Sequence, residues 1–144
     1  MRRYQLKVSG PLLDRVYMVV AMHRGGLRSV VPSAVPAVGM DTLAVRMRVL
    51  AAAERQFQRS GRLNGRLDGV GLRTHCALSL SGEELLETAS DRFALSARAR
   101  DSIRRVARTI ADLAAAERIE SGHLGEAITL RASRHLGNTS GSPP

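Results

Sequence analysis

The chain has 144 residues, 44% of them apolar and 24% charged, with 22 Lys and Arg against 13 Asp and Glu for a net charge of +9. That length and apolar content give one domain with a hydrophobic core and exclude a disordered chain. One cysteine, Cys76, excludes a disulfide framework or a zinc knuckle. The opening "MRRYQLKVSG" lacks the apolar centre of a signal peptide, and no apolar run reaches the ~18 residues of a membrane span, which together predict a soluble cytoplasmic protein with no membrane partner.

Aromatic residues make up 3% of the chain and Trp is absent, so the core must be built from Leu, Val, Ile, Ala and Met. Ala and Leu are strong helix formers, and the composition predicts packed helices. Nearly all the positive charge is arginine, Lys7 being the lone lysine. A basic balance of this size admits a stand-alone helical module that binds nucleic acid.

In chain order, Gly10 and Pro11 open a tight turn that Leu12, Leu13, Asp14 and Arg15 complete. Residues 16–22, "VYMVVAM", are continuously apolar and rich in β-branched side chains, the character of a strand buried on both faces. Residues 23–40 are rich in Gly, Pro and Ser and predict a loop. Asp41 is a helix N-cap, Leu43, Met47, Leu50, Ala51 and Glu54 follow at helical spacing, and Gly61 is a stop. Residues 62–71 predict irregular chain and residues 72–80 a short helix.

Ser81 and Glu84 form the S-x-x-E pattern of a capping box ahead of "ELLETASDRF". Ser96 caps the longest predicted helix, residues 97–116. Its stripe is Ala99, Ile103, Val106, Ile110 and Leu113, and Arg98, Arg100, Arg104, Arg105 and Arg108 fall on the other side as a solvated face. Asp101 with Arg105, and Arg108 with Asp112, are i,i+4 pairs. Ser121 caps a last helix ending near Leu136, and the tail "GNTSGSPP" predicts disorder. The domain reading is therefore a first segment over 1–40, a helical unit over 41–136 and a tail over 137–144.

No self-sufficient active site is visible. His23, His75, His123 and His135 are scattered over different elements, and His75 and Cys76 are adjacent, so on a helix their side chains diverge. His123 and Glu126 make one i,i+3 pair, the pattern of a surface contact. No metal-ligand spacing occurs, and no G-x-x-x-x-G-K-[ST] phosphate loop.

The stretch "SGPLLDR" before an apolar run, "ERQFQR…LNGRL…LRTHCAL", and above all "LSARARDSIRRVARTIADLAAAERIESGHLGEAITLR" closely resemble the C-terminal part of the magnesium-chelatase-like AAA+ ATPases, in the ComM/YifB branch. The likeness covers residues 4–131. It implies a mainly α fold: an AAA+ helical lid bundle preceded by one residual strand of a truncated α/β core, the core remnant occupying residues 1–40. It implies that Arg15 is an arginine finger acting in trans on nucleotide held by a neighbouring subunit. It implies that Arg98 is the lid arginine called sensor 2, which reaches the phosphates of nucleotide in its own subunit. The partners implied are an AAA+ core or homologous subunits in a ring, with DNA as the substrate of the family in transformation and recombination. ATP and Mg²⁺ are the cofactors of complete members; Walker A, Walker B and sensor 1 have no counterpart in these 144 residues, so the chain alone is expected to bind no cofactor and no metal and to have no independent ATPase activity. Tyr17, where the family tends to have Asp, and the irregular Gly-rich stretch after Met22 depart from the pattern.

Overall fold

The computed structural model describes residues 15–20 and 41–136, with the backbone alone described for 133–136. Residues 1–14 with the Gly10–Pro11 turn, residues 21–40 with His23, the side chain of His135 and the 137–144 tail lie outside the described residues.

Helix α1 spans Thr42–Ser60. The Asp41 side chain accepts from the Leu43 N–H at 3.2 Å, and Gly61 ends the helix in the left-handed region at φ 68°, a conformation that favours glycine. A single 3-10 turn, Asn64–Arg66, follows. Helix α2 is Gly69–His75, three residues earlier at its start than the pattern suggested and ending at His75 rather than near Leu80. Asp68 sets that start by accepting from the Gly71 N–H at 2.8 Å, a bond that also holds its carboxyl below the usual range. A Cβ at position 71 would lie 2.9 Å from Leu67 Cδ2 and 3.3 Å from Asp68 Oδ1, so a side chain there would require the buried Leu67 to shift.

Helix α3 is Leu80–Phe93 and its cap is Ser79, whose hydroxyl accepts from the Gly82 N–H at 3.2 Å. The Ser81–Glu84 capping box therefore does not form, and Ser81 instead shares a hydroxyl contact with Ser79 at 3.1 Å. Leu78, packed on the core, and the buried Gly82, close to Leu124, fix the chain entry two residues earlier than the motif implied. Helix α4 is Ala97–Leu113, capped by Ser96 as expected. It stops short of Ala116 because Ala115 turns left-handed at φ 57° and the Ala116 N–H closes back on Ala111 O at 2.9 Å. Helix α5 is Ser121–Leu136. His123 Nδ1 accepts from the Glu120 N–H at 3.1 Å, so this histidine satisfies the start of α5; its recorded partner is Glu120, where the spacing had suggested Glu126.

Helix α4 is the centre of the unit. It packs on α1, on the 3-10 turn, on α2 and on α5, and α5 packs in turn on α3. The core is Leu67, Leu72, Cys76, Leu86, Ile103, Val106, Ala107, Ala111, Ile119, Leu124 and Ala127. This is the mainly helical bundle the composition called for. No strand occurs among the described residues. Residues 16–20, the described part of the expected residual strand, are irregular, and four of the five are exposed. The Val19 N–H donates to Leu130 O on α5 at 2.9 Å. A β-branched run becomes a strand only where another strand offers its backbone for pairing, and here the neighbour is a helix.

Because four elements surround α4, its buried face is wider than one apolar stripe. Ala99, Ile103 and Val106 are buried as expected, and Ile110 packs against the core. Leu113 is exposed. Arg108, assigned by the pattern to a solvated side, is 2% exposed, and Asp112 is fully buried. The far side of α4 is covered by α1 and the 3-10 turn, which a stripe on one helix does not reveal.

Candidate functional site

The five arginines of α4 have separate fates. Arg104 forms a two-pronged bond with Glu83 of α3, at 3.0 and 2.7 Å. Arg105 donates twice to Leu67 O, at 3.3 and 2.9 Å, and so has that carbonyl as its partner where Asp101 was expected. Arg108 donates to Asp112 and, at 2.8 and 2.6 Å, to the carbonyls of Glu117 and Ala116. Arg98 and Arg100 alone of the five are exposed, and neither guanidinium has a hydrogen bond or ion pair among the described residues.

Arg98 stands in the first turn of α4, just past its Ser96 cap. Its backbone carbonyl accepts from Ser102 Oγ at 2.9 Å, so the helix start is held on both sides while the side chain is left to solvent. Arg15 is exposed in the turn that leads into the segment tied to Leu130. No hydrogen bond or ion pair links Arg15 with Arg98 among the described residues. Each is an always-charged fork of donors able to hold an anionic oxygen.

A second polar assembly escaped the sequence pattern. Asp112 accepts from Arg59 Nη1 at 2.7 Å and Nη2 at 2.8 Å, from Asn64 Nδ2 at 2.8 Å and from Arg108 Nε at 3.2 Å. Its own carbonyl accepts from Arg55 at 3.2 Å. Asn64 is held further by Gln56 Oε1, which accepts from its N–H at 2.9 Å, and by Thr109 Oγ1 at 3.1 Å. Burial pushes the Asp112 carboxyl up, but the bonds from Arg59 and Asn64 and the charge of Arg108 outweigh it, and the group sits below the ordinary carboxylate value. The bond to Asp112 likewise raises the Arg59 guanidinium against the opposing effect of burial. With every carboxylate oxygen engaged, this assembly ties α1, the 3-10 turn and α4 together and has no acceptor left for a ligand. The i,i+4 spacing of Arg108 and Asp112 was its one visible sign.

His75, Thr74, Ser79, Glu117 and Arg118 border an open cleft of about 310 Å³ beneath which Arg108 is buried. Cys76 lies fully buried beside it, and that burial raises its thiol to about 11. A protonated, enclosed thiol is no nucleophile, so His75 and Cys76 form no catalytic pair.

Nucleotide phosphates fit the described residues in one respect, that the guanidinia of Arg98 and Arg100 are exposed and have no hydrogen bond or ion pair. The acids that hold Mg²⁺ do not: no group of three or more His, Cys, Asp or Glu among the described residues could hold a metal. No described helix is long and apolar enough to cross a membrane.

Comparison with known proteins places these helices. Residues 39–131 match the family described as magnesium chelatase, subunit ChlI C-terminal. The uncharacterized protein YifB of Escherichia coli is 37% identical over 138 residues, covering 93% of this chain and 26% of that one. The competence protein ComM of Haemophilus influenzae is 35% identical over 137 residues, with the same shares of 93% and 26%. An uncharacterized protein of Mycobacterium tuberculosis is 45% identical over 117 residues, 78% of this chain and 22% of its own. The chain thus spans about a quarter of the length of the curated relatives it matches.

Proposed function

The chain belongs to the magnesium chelatase ChlI C-terminal family, and from that premise we propose that it is the arginine-finger and sensor-2 lid portion of a ComM-like AAA+ ATPase. In this reading ATP lies between two subunits of a ring. Arg98 reaches the phosphates of nucleotide bound by its own subunit, and Arg15 reaches the γ-phosphate held by the next. The observation that supports the proposal is that Arg98, in the first turn of α4, has no partner among the described residues on a helix whose Arg104, Arg105 and Arg108 are all engaged; Arg100 is equally exposed, and the resemblance selects Arg98 between the two. A guanidinium without a protein partner is available for an anion without first breaking a bond.

The bound nucleotide with its Mg²⁺ would supply the phosphoryl group to be transferred. The work of this chain is then electrostatic. Charge spreads over the equatorial oxygens during transfer, and an arginine held against them lowers the barrier, by 10³-fold or more where a finger is involved. The phosphate loop and the Mg²⁺-holding acids belong, in this proposal, to the part of the complete protein outside the matched quarter.

The test joins this chain to the portion of E. coli YifB outside its matching segment, so that a ring can assemble. Arg15→Ala should abolish most ATP turnover while nucleotide binding stays near normal. Arg98→Ala should weaken nucleotide binding within one subunit. Mixing the two variants should restore part of the activity, since some interfaces then pair an intact Arg15 with an intact Arg98 across the boundary. Rings that exchange subunits yet show no recovery would overturn the assignment. Binding of duplex DNA by the chain alone, falling with salt at a slope of ~0.9 per phosphate contact, would favour a stand-alone basic module instead.

A further inference from the structure

The cleft beside Cys76 lies between the end of α2, the cap of α3 and the turn that joins α4 to α5. Part of its lining is apolar: Leu78 packs on the core and Ile119 belongs to it. At its border Arg118 is exposed and His75 half-buried, and neither side chain has a hydrogen bond or ion pair among the described residues. The Glu117 carboxylate borders the cleft beside Arg118 and offsets one positive charge there. Beneath the cleft, positive charge is in excess. Arg55, Arg59 and Arg108 all bond to Asp112, so three guanidinia meet one carboxylate and two positive charges are left over. The other acceptors of Arg108 are the carbonyls of Ala116 and Glu117, and Arg105 close by bonds to the Leu67 carbonyl; these are dipoles without net charge. The excess is felt at the cleft wall, where Arg108, Arg59 and Arg105 each pull the Cys76 thiol down although burial outweighs them. Interior charge is screened little by salt, and uncompensated charge of one sign favours a counter-ion at the nearest open surface. The cleft, which Arg108 itself lines, is that surface. Arg98 lies ten residues from Arg108 along α4, about 15 Å at 1.5 Å per residue, so this is a separate place from the one discussed above.

We propose that this cleft binds a small phosphomonoester, its phosphate held at Arg118 and His75 and its apolar body laid on Leu78 and Ile119. A phosphate dianion matches the two charges in excess beneath the cleft. Its oxygens accept at once from a guanidinium fork and from an imidazole N–H, the two donors that stand unengaged at the border. Arg108 contributes through its charge, since its donors are already bonded. The apolar lining selects an ester over inorganic phosphate, because an apolar body removes Leu78 from water and a bare ion leaves it wet. The proposal does not depend on the lid reading.

The test titrates the full 144-residue chain with phenyl phosphate by calorimetry, and then with inorganic phosphate. Phenyl phosphate should bind, several-fold more tightly than inorganic phosphate. Arg118→Glu should weaken it tenfold or more and His75→Ala several-fold, with far-UV circular dichroism unchanged in both, because neither side chain has a bond within the bundle. Arg66→Glu makes the same change of charge at another exposed arginine and should leave the affinity near that of wild type. Absence of phenyl phosphate binding, binding indifferent to Arg118→Glu, inorganic phosphate bound as tightly as the ester, or an equal loss in Arg66→Glu, the mark of general attraction to a chain of net charge +9, would each overturn the proposal.

Discussion

Arg59 closes on both carboxylate oxygens of Asp112, at 2.7 and 2.8 Å, across a sequence separation of 53 residues. One end of the pair lies on α1 and the other near the end of α4, and Asp112 is fully buried. A buried charge of this kind is costly to strand, because its partners remain behind without an acceptor.

Asp112→Ala should therefore destabilise the chain by about 3–5 kcal/mol, since it leaves Arg108 buried with its carboxylate gone. Arg59→Ala should cost less, as Asn64 and Arg108 still hold the carboxylate. Urea unfolding followed by far-UV circular dichroism measures both; equal costs for the two variants would contradict the picture of Asp112 as the shared acceptor.

The same carboxylate sets an acid limit. Its pKa in the folded chain lies below the ordinary value of 3.8. A depressed pKa contributes stability that is fully present above about pH 4 and is lost as pH falls through the folded value. Unfolding free energy should decline over that acid range, and the decline should be shallower in Asp112→Asn. Parallel slopes for the two proteins would assign the acid sensitivity elsewhere.

Cys76 should resist alkylation. With its thiol raised to about 11 by burial, the thiolate fraction at pH 8 is only about one in a thousand. Iodoacetamide labelling should track unfolding in urea, with native chain unlabelled over hours. Rapid labelling of folded chain would mean that α2 opens readily.

The helix starts offer a direct comparison of two neighbouring serines. Ser79→Ala should cost about 1 kcal/mol, the usual loss of an N-cap, whereas Ser81→Ala should cost a few tenths at most. Thermal unfolding of the two variants decides between them, and the reverse order would restore the capping box.

Ala94 and Ala115 occupy the left-handed region at φ 48° and 57°. Glycine adopts it freely, while an L side chain there costs on the order of 1 kcal/mol. Ala94→Gly and Ala115→Gly should each stabilise the chain by about 0.5 kcal/mol once the greater freedom of glycine in the unfolded state is deducted. A loss of stability in both would show that their methyl groups pack usefully.

Much of this fold was legible because caps and stripes are local. Asp41, Gly61 and Ser96 act where their positions suggest, and Ala99, Ile103 and Val106 face inward. What escaped depends on how many bodies surround a helix. In α1 the spacing singled out Leu43, Met47, Leu50, Ala51 and Glu54, yet these lie on the exposed side, and the bundle receives Ala52, Gln56 and Arg59 instead. Two of those three are polar, and polar residues are invisible to a pattern built on hydrophobicity. Arg108 was misplaced for the same reason. Arg15 and Arg98 are singled out by resemblance alone: nothing in composition or spacing separates Arg98 from Arg100, and the structure leaves both exposed.

Helix α1 is in mechanical terms a cantilever. Its clamp is the Ala52–Gln56–Arg59 edge bolted through Asp112, and its exposed arm, residues 42–51, extends about 15 Å at 1.5 Å per residue. A force applied at Leu43 is balanced by a torque at the clamp, and the stiff helix carries it there with little bending. The element gripped by that clamp is the last turn of α4, which Arg108 fastens to the carbonyls of Ala116 and Glu117. Whatever grasps the tip of α1 therefore pulls on the joint between α4 and α5, and shortening or softening the arm, as with a glycine pair at Val49 and Leu50, would disconnect the two.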